Sequence, residues 1–339
     1  MHSMQTISRN VGMTTQKDIA IYHGNEKWAL RGLGIDFEKA FSSLGLTTTR
    51  SESFSCKPLN AKYHFFVQQG QLLRFAAYNS NSIPANSFTL FTHVNMDNIP
   101  KEMGILNKAK GVIFFSQLQE ALLQSNGLSS NNHIAIIMAA SPEKHRVLEQ
   151  SSVSKRLALD RQSTSRKVEP KRKYVGFCLK YWSKPTYINR KSYGVIIEVV
   201  NQLTSRGINC LIIGPGWKNN KDLDKRVTVV ETEYENYEVY YNMMKVFVSL
   251  SSNEGGPLPL LESMMCGCIP VSTTTGFAPE LMLPIFPNGL LACNQSLAEI
   301  TNKIISCYLC GPRADVISTY SGQFSFENAA KTIASRYFQ

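Results

Sequence analysis

Acidic side chains are in short supply in this 339-residue chain: 25 Asp and Glu stand against 36 Lys and Arg, a formal net charge of +11. Long apolar runs are missing too. The longest, Ile134–Ala140, is strand-sized and far below the ~20 residues that cross a bilayer, so a membrane-spanning chain is not expected. Residues 1–17 carry Arg9 with no apolar stretch behind it, which argues against a secretory leader. The eight cysteines are spread thinly, seven of them beyond residue 170. Cys178 and Cys210 sit inside apolar runs, where a free thiol behaves as a small hydrophobe, so a disulfide framework is disfavoured and a reducing cytoplasm fits. Cys307-Tyr-Leu-Cys310 has the spacing of half a zinc site, but no second pair and no His lies near it in the sequence, so no metal is expected.

What is present suffices for two cores: the chain is 43% hydrophobic and 18% charged over roughly twice the usual single-domain length. The positive excess is local. Residues 151–173 hold eight basic and two acidic residues, more than half of the net charge. This Ser-, Lys- and Arg-rich stretch reads as an exposed connection with few core residues. Two roles stay open for it: a solvated linker, or a patch attracting anionic lipid headgroups or nucleic acid. Of these polyanions, nucleic acid is disfavoured, and the lipid reading implies peripheral contact at the inner face of a membrane.

Both flanks alternate short apolar strands with amphipathic helices. In residues 1–150, strands are expected at Asp18–Tyr22, Tyr63–Val67, Phe88–Phe91, Gly111–Phe115 and His133–Met138. A Gly-containing loop over His23–Gly34 leads to a helix over Ile35–Leu44 closed by Gly45, and Ser116 N-caps a helix that stops at Asn126-Gly127. In residues 174–325 the strands are Tyr174–Cys178, Cys210–Gly214, Val227–Glu231, Val246–Leu250 and Ile269–Thr273, with helices over Tyr193–Ser205, Tyr237–Met244 and Leu297–Leu309. Within residues 326–339, Ala329, Ile333, Ala334 and Tyr337 form an apolar stripe at helical spacing. The fold class is α/β: two doubly wound, Rossmann-like domains that face each other across a cleft at the strand C-termini.

The chemistry is concentrated in Asn253–Gly276. A Ser-Ser-Asn-Glu-Gly-Gly loop follows a strand, and a helix begins near Pro257 or Leu258, where proline suits the first turn. The N–H groups of that turn and the helix dipole favour an anion, most naturally a phosphate, and Gly255 and Gly256 allow a ligand to approach the backbone. Glu262, a turn further in, has a carboxylate able to accept two hydrogen bonds from a vicinal diol such as a ribose.

Glu254 and Glu262 form an E-x7-E pair inside a run that resembles E-G-x-x-x-x-L-L-E-A-M-A-x-G-x-P-V-V-x-T-x-x-G, the donor-site signature of retaining glycosyltransferases of the GT-B fold (glycosyltransferase family 4, group 1 type). The resemblance extends from Tyr174 onward through Val175-Gly176, Ile212-Ile-Gly214, Pro279-Glu280, Asn288-Gly289 and Phe324–Ala330. It implies transfer of a sugar from a nucleotide diphosphate-sugar to a carbohydrate or lipid-linked acceptor hydroxyl with retention, without cofactor or metal. By the same resemblance Glu254 contacts the hexose hydroxyls, Glu262 the ribose, and backbone N–H groups around Leu258 the diphosphate.

The family also uses an Arg and a Lys after the first strand of the second domain to neutralise the departing diphosphate. Here Phe177 stands where Arg is common, and the loop after it contains Lys180, Lys184, Arg190 and Lys191. Lys191 fits the family lysine best, Arg190 is its partner, and Lys180 is an alternative. In the first domain, His93 resembles the strand-end His near the reacting sugar, and Gly32 and Gly34 resemble the glycine-rich loop that approaches the donor phosphates. Their spacing is not G-x-G-x-x-G, which disfavours a dinucleotide cofactor. The rivals are another GT-B activity, such as an epimerase or a phosphorylase, and a non-catalytic binding protein.

Overall fold

The computed structural model describes residues 15–24, 29–53, 55–92, 99–129, 133–137, 139–160, 163–166, 168–182, 185–292 and 294–338. His93, Lys184 and Met138 lie outside them. In the first half the elements are β1 (Lys17–Tyr22), α1 (Ala29–Ser43), β2 (Thr48–Ser51), β3 (Ala61–Phe66), α2 (Gln69–Tyr78), β4 (Ser87–Phe91), α3 (Ile99–Leu106), β5 (Gly111–Phe114), α4 (Gln117–Ser125), β6 (His133–Ala135) and α5 (Gln150–Leu159). In the second they are β7 (Tyr174–Cys178), α6 (Pro185–Lys191), α7 (Tyr193–Ser205), β8 (Cys210–Ile213), β9 (Thr228–Val230), α8 (Tyr237–Tyr241), β10 (Met244–Ser249), α9 (Leu258–Met265), β11 (Ile269–Thr273), α10 (Ala278–Met282), β12 (Leu290–Leu291), α11 (Leu297–Cys310), α12 (Ala314–Ser321) and α13 (Phe326–Tyr337).

Each half is a six-stranded parallel sheet, ordered β2-β1-β3-β4-β5-β6 and β12-β11-β10-β7-β8-β9. The near-continuous apolar strands follow from burial of both faces. Along β1, Ile19 and Ile21 join one core while Ala20 and Tyr22 join a second on the other face. The two doubly wound domains expected from the strand-helix alternation are therefore present.

Local signals in the sequence match the structure at some positions and not at others. Ser116 does cap α4, accepting from the Gln119 N–H, and Gly45 takes the left-handed conformation (φ 82°) after α1. The glycine loop over His23–Gly34 is a correction: Gly32 and Gly34 lie within α1. A Cβ on Gly34 would come 2.6 Å from the buried His23 ring, so this glycine lets the helix approach the imidazole. β2 was missed because Thr-Thr-Arg-Ser is a polar edge strand, paired only with β1.

The basic stretch 151–173 departs from a bare exposed connection. Residues 150–159 form α5, which buries Val153 and Leu157, and Asp160 accepts from Thr232 Oγ1 and Tyr240 Oη, each at 2.7 Å. Arg172 donates to the Met244 and Cys266 carbonyls at 3.1 and 2.7 Å and to Asn242 Oδ1 at 3.1 Å. Three of these hydrogen bonds anchor a residue that sequence alone places in a solvated run. Among the described residues no helix is long and apolar enough to cross a membrane.

α13 returns to the first domain. Ser325 caps it, Phe326 meets the Phe37 ring edge-on at 5.2 Å, Tyr337 lies 4.8 Å from Phe88, and Phe338 stacks on Tyr63 at 4.5 Å. The first domain's core is completed by the last helix. Phe326→Ala should lower unfolding stability by about 3–5 kcal/mol in urea titrations; a wild-type midpoint would remove this aromatic contact from the stabilising core.

Candidate active site

The loop after β10 is held from three sides. The Ser252 N–H donates to the Arg190 carbonyl at 2.9 Å, the Glu254 N–H to Thr275 Oγ1 at 2.9 Å, and Thr273 Oγ1 to the Ser251 carbonyl at 2.6 Å. Its carboxylate, Glu254, is almost fully buried and faces the C-terminal end of α6. There Lys191 Nζ bonds Glu254 Oε1, and Arg190 Nη1 lies 3.9 Å from Oε2. The structure thus joins Glu254 to two adjacent residues more than 60 positions before it in the sequence. The segment bearing the two cations is a short helix rather than the loop expected, and cations at a helix C-terminus are favoured by its dipole.

The N-terminus of α9 differs from the amide cradle expected of it. The Leu258 N–H donates to the Gly256 carbonyl at 2.9 Å, Pro259 has no N–H, and the Leu260 N–H donates to the Pro257 carbonyl at 2.8 Å. The first three helical positions therefore keep no unbonded amide for a phosphate, and positive charge falls to Lys191 and Arg190. The glycines serve another purpose here. A Cβ on Gly255 would overlap the Thr92 carbonyl oxygen of the first domain and lie 2.6 Å from Gln119 Nε2, and one on Gly256 would lie 2.6 Å from the Phe277 ring. In this conformation they allow protein, not a ligand, to approach. Gly214 (φ 137°) closes β8 where a Cβ would overlap the Leu179 carbonyl, seating the loop in which Lys180 Nζ stands 4.4 Å from the Trp182 ring.

Glu262 does not line an open cleft. It is 1% exposed; Oε1 accepts from Tyr234 Oη, Oε2 accepts from Tyr241 Oη at 3.0 Å, and His145 Nε2 lies 3.7 Å from Oε1. Burial first, and the Glu262 charge after it, hold the Tyr234 phenol well above the ordinary tyrosine range. Burial does the same for Tyr241, and both hydroxyls remain donors. Burial also pushes the nearby Cys178 thiol up to about 12. Gly32, Asp36, Ser141, His145 and Tyr234 enclose with Glu262 a cavity of about 10 Å³, room for one water. Tyr234, Tyr241 and His145 were not anticipated. The tyrosine-dense run Tyr234–Tyr241 was the available signal for the first two; nothing local marks His145.

The halves meet around these groups. The Gln117 N–H, in the first turn of α4, donates to Glu280 Oε1 at 2.8 Å, and Asn242 bonds both the Leu148 N–H and the Arg146 carbonyl at 2.8 Å. Burial raises the Glu280 carboxyl above its usual value. Among the described residues no group of three or more His, Cys, Asp or Glu is arranged to hold a metal ion. Gly255→Ala should force this apposition apart: small-angle scattering of the ligand-free variant is expected to show a larger radius of gyration with wild-type helicity. An unchanged radius would show that Gly255 does not set the domain contact.

Residues 173–309 match the family model described as Glycosyl transferases group 1. A comparison with curated proteins finds no match. Among solved structures, sucrose-phosphate synthase from Thermosynechococcus elongatus is similar over 96% of this chain and 99% of its own, with TM-score 0.71 and 15% identity. HepE from Anabaena, in complex with UDP and glucose, is similar over 94% and 99%, with TM-score 0.68 and 14% identity. The lipopolysaccharide outer core galactosyltransferase WaaB is similar over 95% and 99%, with TM-score 0.64 and 13% identity. The fold is that of these GT-B proteins, and residues 173–309 resemble the glycosyl transferases group 1 family.

Proposed function

We propose that this chain is a retaining hexosyltransferase that moves a sugar from a nucleotide diphosphate-sugar to a hydroxyl of a carbohydrate or lipid-linked acceptor. The observation that carries the reading is the convergence of Glu254, Lys191 and Arg190 beside the domain interface. HepE, solved with UDP-glucose, supports a donor of this class, and WaaB supports a sugar-containing acceptor. Arg156 is paired with Glu238, and Arg166 and Arg172 are held by backbone carbonyls; the other cations of the basic stretch are assigned an acceptor-side contact with anionic membrane.

When the glycosidic bond to the diphosphate breaks, negative charge grows on the leaving oxygens. Lys191 and Arg190 are fixed cations that stabilise this charge more in the transition state than in the bound donor. Donor entry exchanges their partner: the diphosphate takes the two cations, and the Glu254 carboxylate turns to sugar hydroxyls. Glu262 exchanges the Tyr234 hydroxyl for ribose hydroxyls, which requires the small cavity to open. His93 is assigned beside the reacting carbon. As the family resemblance implies, the leaving phosphate oxygen accepts the acceptor's proton on the same face, no carboxylate is assigned as a base, and configuration is retained.

Two measurements test this. Proton NMR of the fresh glycoside should show an α-linked product from an α-linked donor; a β-linked product would overturn retention. Glu262→Gln preserves an acceptor for the tyrosine hydroxyls, whereas Ala would leave them unpaired. The Gln variant should therefore stay folded yet lose about 10- to 150-fold in kcat/KM, the loss of charge-assisted bonds of roughly 1.5–3 kcal/mol. Unchanged nucleotide affinity would remove Glu262 from the donor site.

A further inference from the structure

A second cavity, of about 280 Å³, lies at the other end of the second sheet, lined by Arg172, Lys245, Gly267, Ile269, Arg313 and Ala314. Lys245 stands near the start of β10 and Ile269 opens β11, whereas Glu254 follows the end of β10. Six strand residues at about 3.3 Å each put roughly 20 Å between this cavity and the candidate active site.

Its charge is only partly compensated. The three hydrogen bonds of the Arg172 guanidinium end on neutral oxygens, two carbonyls and the Asn242 amide. The Lys245 ammonium lies 4.8 Å from the centre of the Tyr308 ring. Among the described residues neither forms an ion pair with a carboxylate. Arg313 pairs with Asp315 at 2.7 Å, so three cations around the cavity meet one anion. Lys171 and Lys173, on either side of Arg172, share the single carboxylate of Glu169. A remaining charge of about +2 matches a phosphomonoester, which carries about −1.5 to −2 near neutral pH, and guanidinium groups bind its oxygens through paired N–H donors.

We propose that this cavity is a binding site for a phosphomonoester group, carried either by a lipid headgroup or by a small phosphorylated metabolite. The inference does not rest on the glycosyltransferase reading, because none of its residues takes part in the donor site. An occupied site lies against the end of α9, whose Cys266 carbonyl Arg172 already holds.

The test uses the full chain carrying Lys191→Gln, which removes the donor-side ammonium, with and without the added pair Lys245→Gln and Arg313→Gln. Inorganic phosphate is titrated by calorimetry, and sedimentation is followed with phosphatidylcholine vesicles with or without phosphatidic acid. In the Lys191→Gln protein, saturable binding of phosphate, of phosphatidic acid vesicles or of both is expected. The added pair should weaken it by about tenfold or more for each charge-assisted bond lost. Loss confined to vesicles identifies a lipid headgroup as the occupant, and loss of phosphate binding without a vesicle effect identifies a free metabolite. Binding of neither probe, or binding that the pair leaves unchanged, overturns the proposal. In the otherwise native chain the pair should leave transfer to a soluble acceptor and the melting temperature unaltered, which separates this result from a damaged fold or a failed donor site.

Discussion

Two cations placed side by side at the end of a seven-residue helix repel each other and attract water, and Glu254 makes their position stable. Its carboxylate is taken out of water by the same loop that anchors to the Arg190 carbonyl through Ser252, so backbone and side chains hold α6 at one distance from β10. A buried charge is tolerated only when it is paired and hydrogen-bonded. That requirement sets the path of the loop, the close approach of Thr275 and the glycine at 276, whose missing Cβ leaves room for the Gly255 carbonyl.

Glu262 satisfies the same rule by different means. Neutral tyrosine hydroxyls occupy both of its oxygens, so one carboxylate of the E-x7-E pair faces cations and the other faces donors without charge. In the proposed exchange Lys191 and Arg190 trade one anionic partner for another, while Glu254 trades its cations for sugar hydroxyls. In the same proposal Glu262 trades one hydroxyl for another, a change with little net electrostatic cost. Pro259 fits this division of labour: with the amides at the start of α9 engaged or absent, the proposed neutralisation of phosphate rests on the Lys191 and Arg190 side chains.

Much of this was legible in the residue order. Strands such as Tyr174–Cys178 and Ile269–Thr273 announce themselves because both faces are buried and every position is apolar or small. The loop carrying Glu254 is equally visible, since its glycines and the Pro-containing helix start restrict the backbone locally. Lys191 could be singled out from four basic residues by its place before α7, but its contact with Glu254 is tertiary. The reading failed where a residue's partner lies far along the chain. Gly34 resembles a loop glycine until the His23 ring is seen against it, and Arg172 resembles a solvated charge until its carbonyl partners appear. His145 belongs to this group as well, because its approach to a buried tyrosine-carboxylate pair leaves no periodic trace.

The return of α13 has a consequence for the order in which the molecule is made. Phe37, Tyr63 and Phe88 belong to the first domain, yet the rings that cover them come from residues 326–338. During synthesis the first domain emerges early with this apolar surface bare, and it stays bare until residues 326–338 have followed the second domain out of the ribosome. The usual N-terminal-first order of domain maturation therefore leaves this domain incomplete until α13 arrives. The half that is translated first is the last to be finished, and a nascent chain stalled between the two events presents an aromatic surface to chaperones.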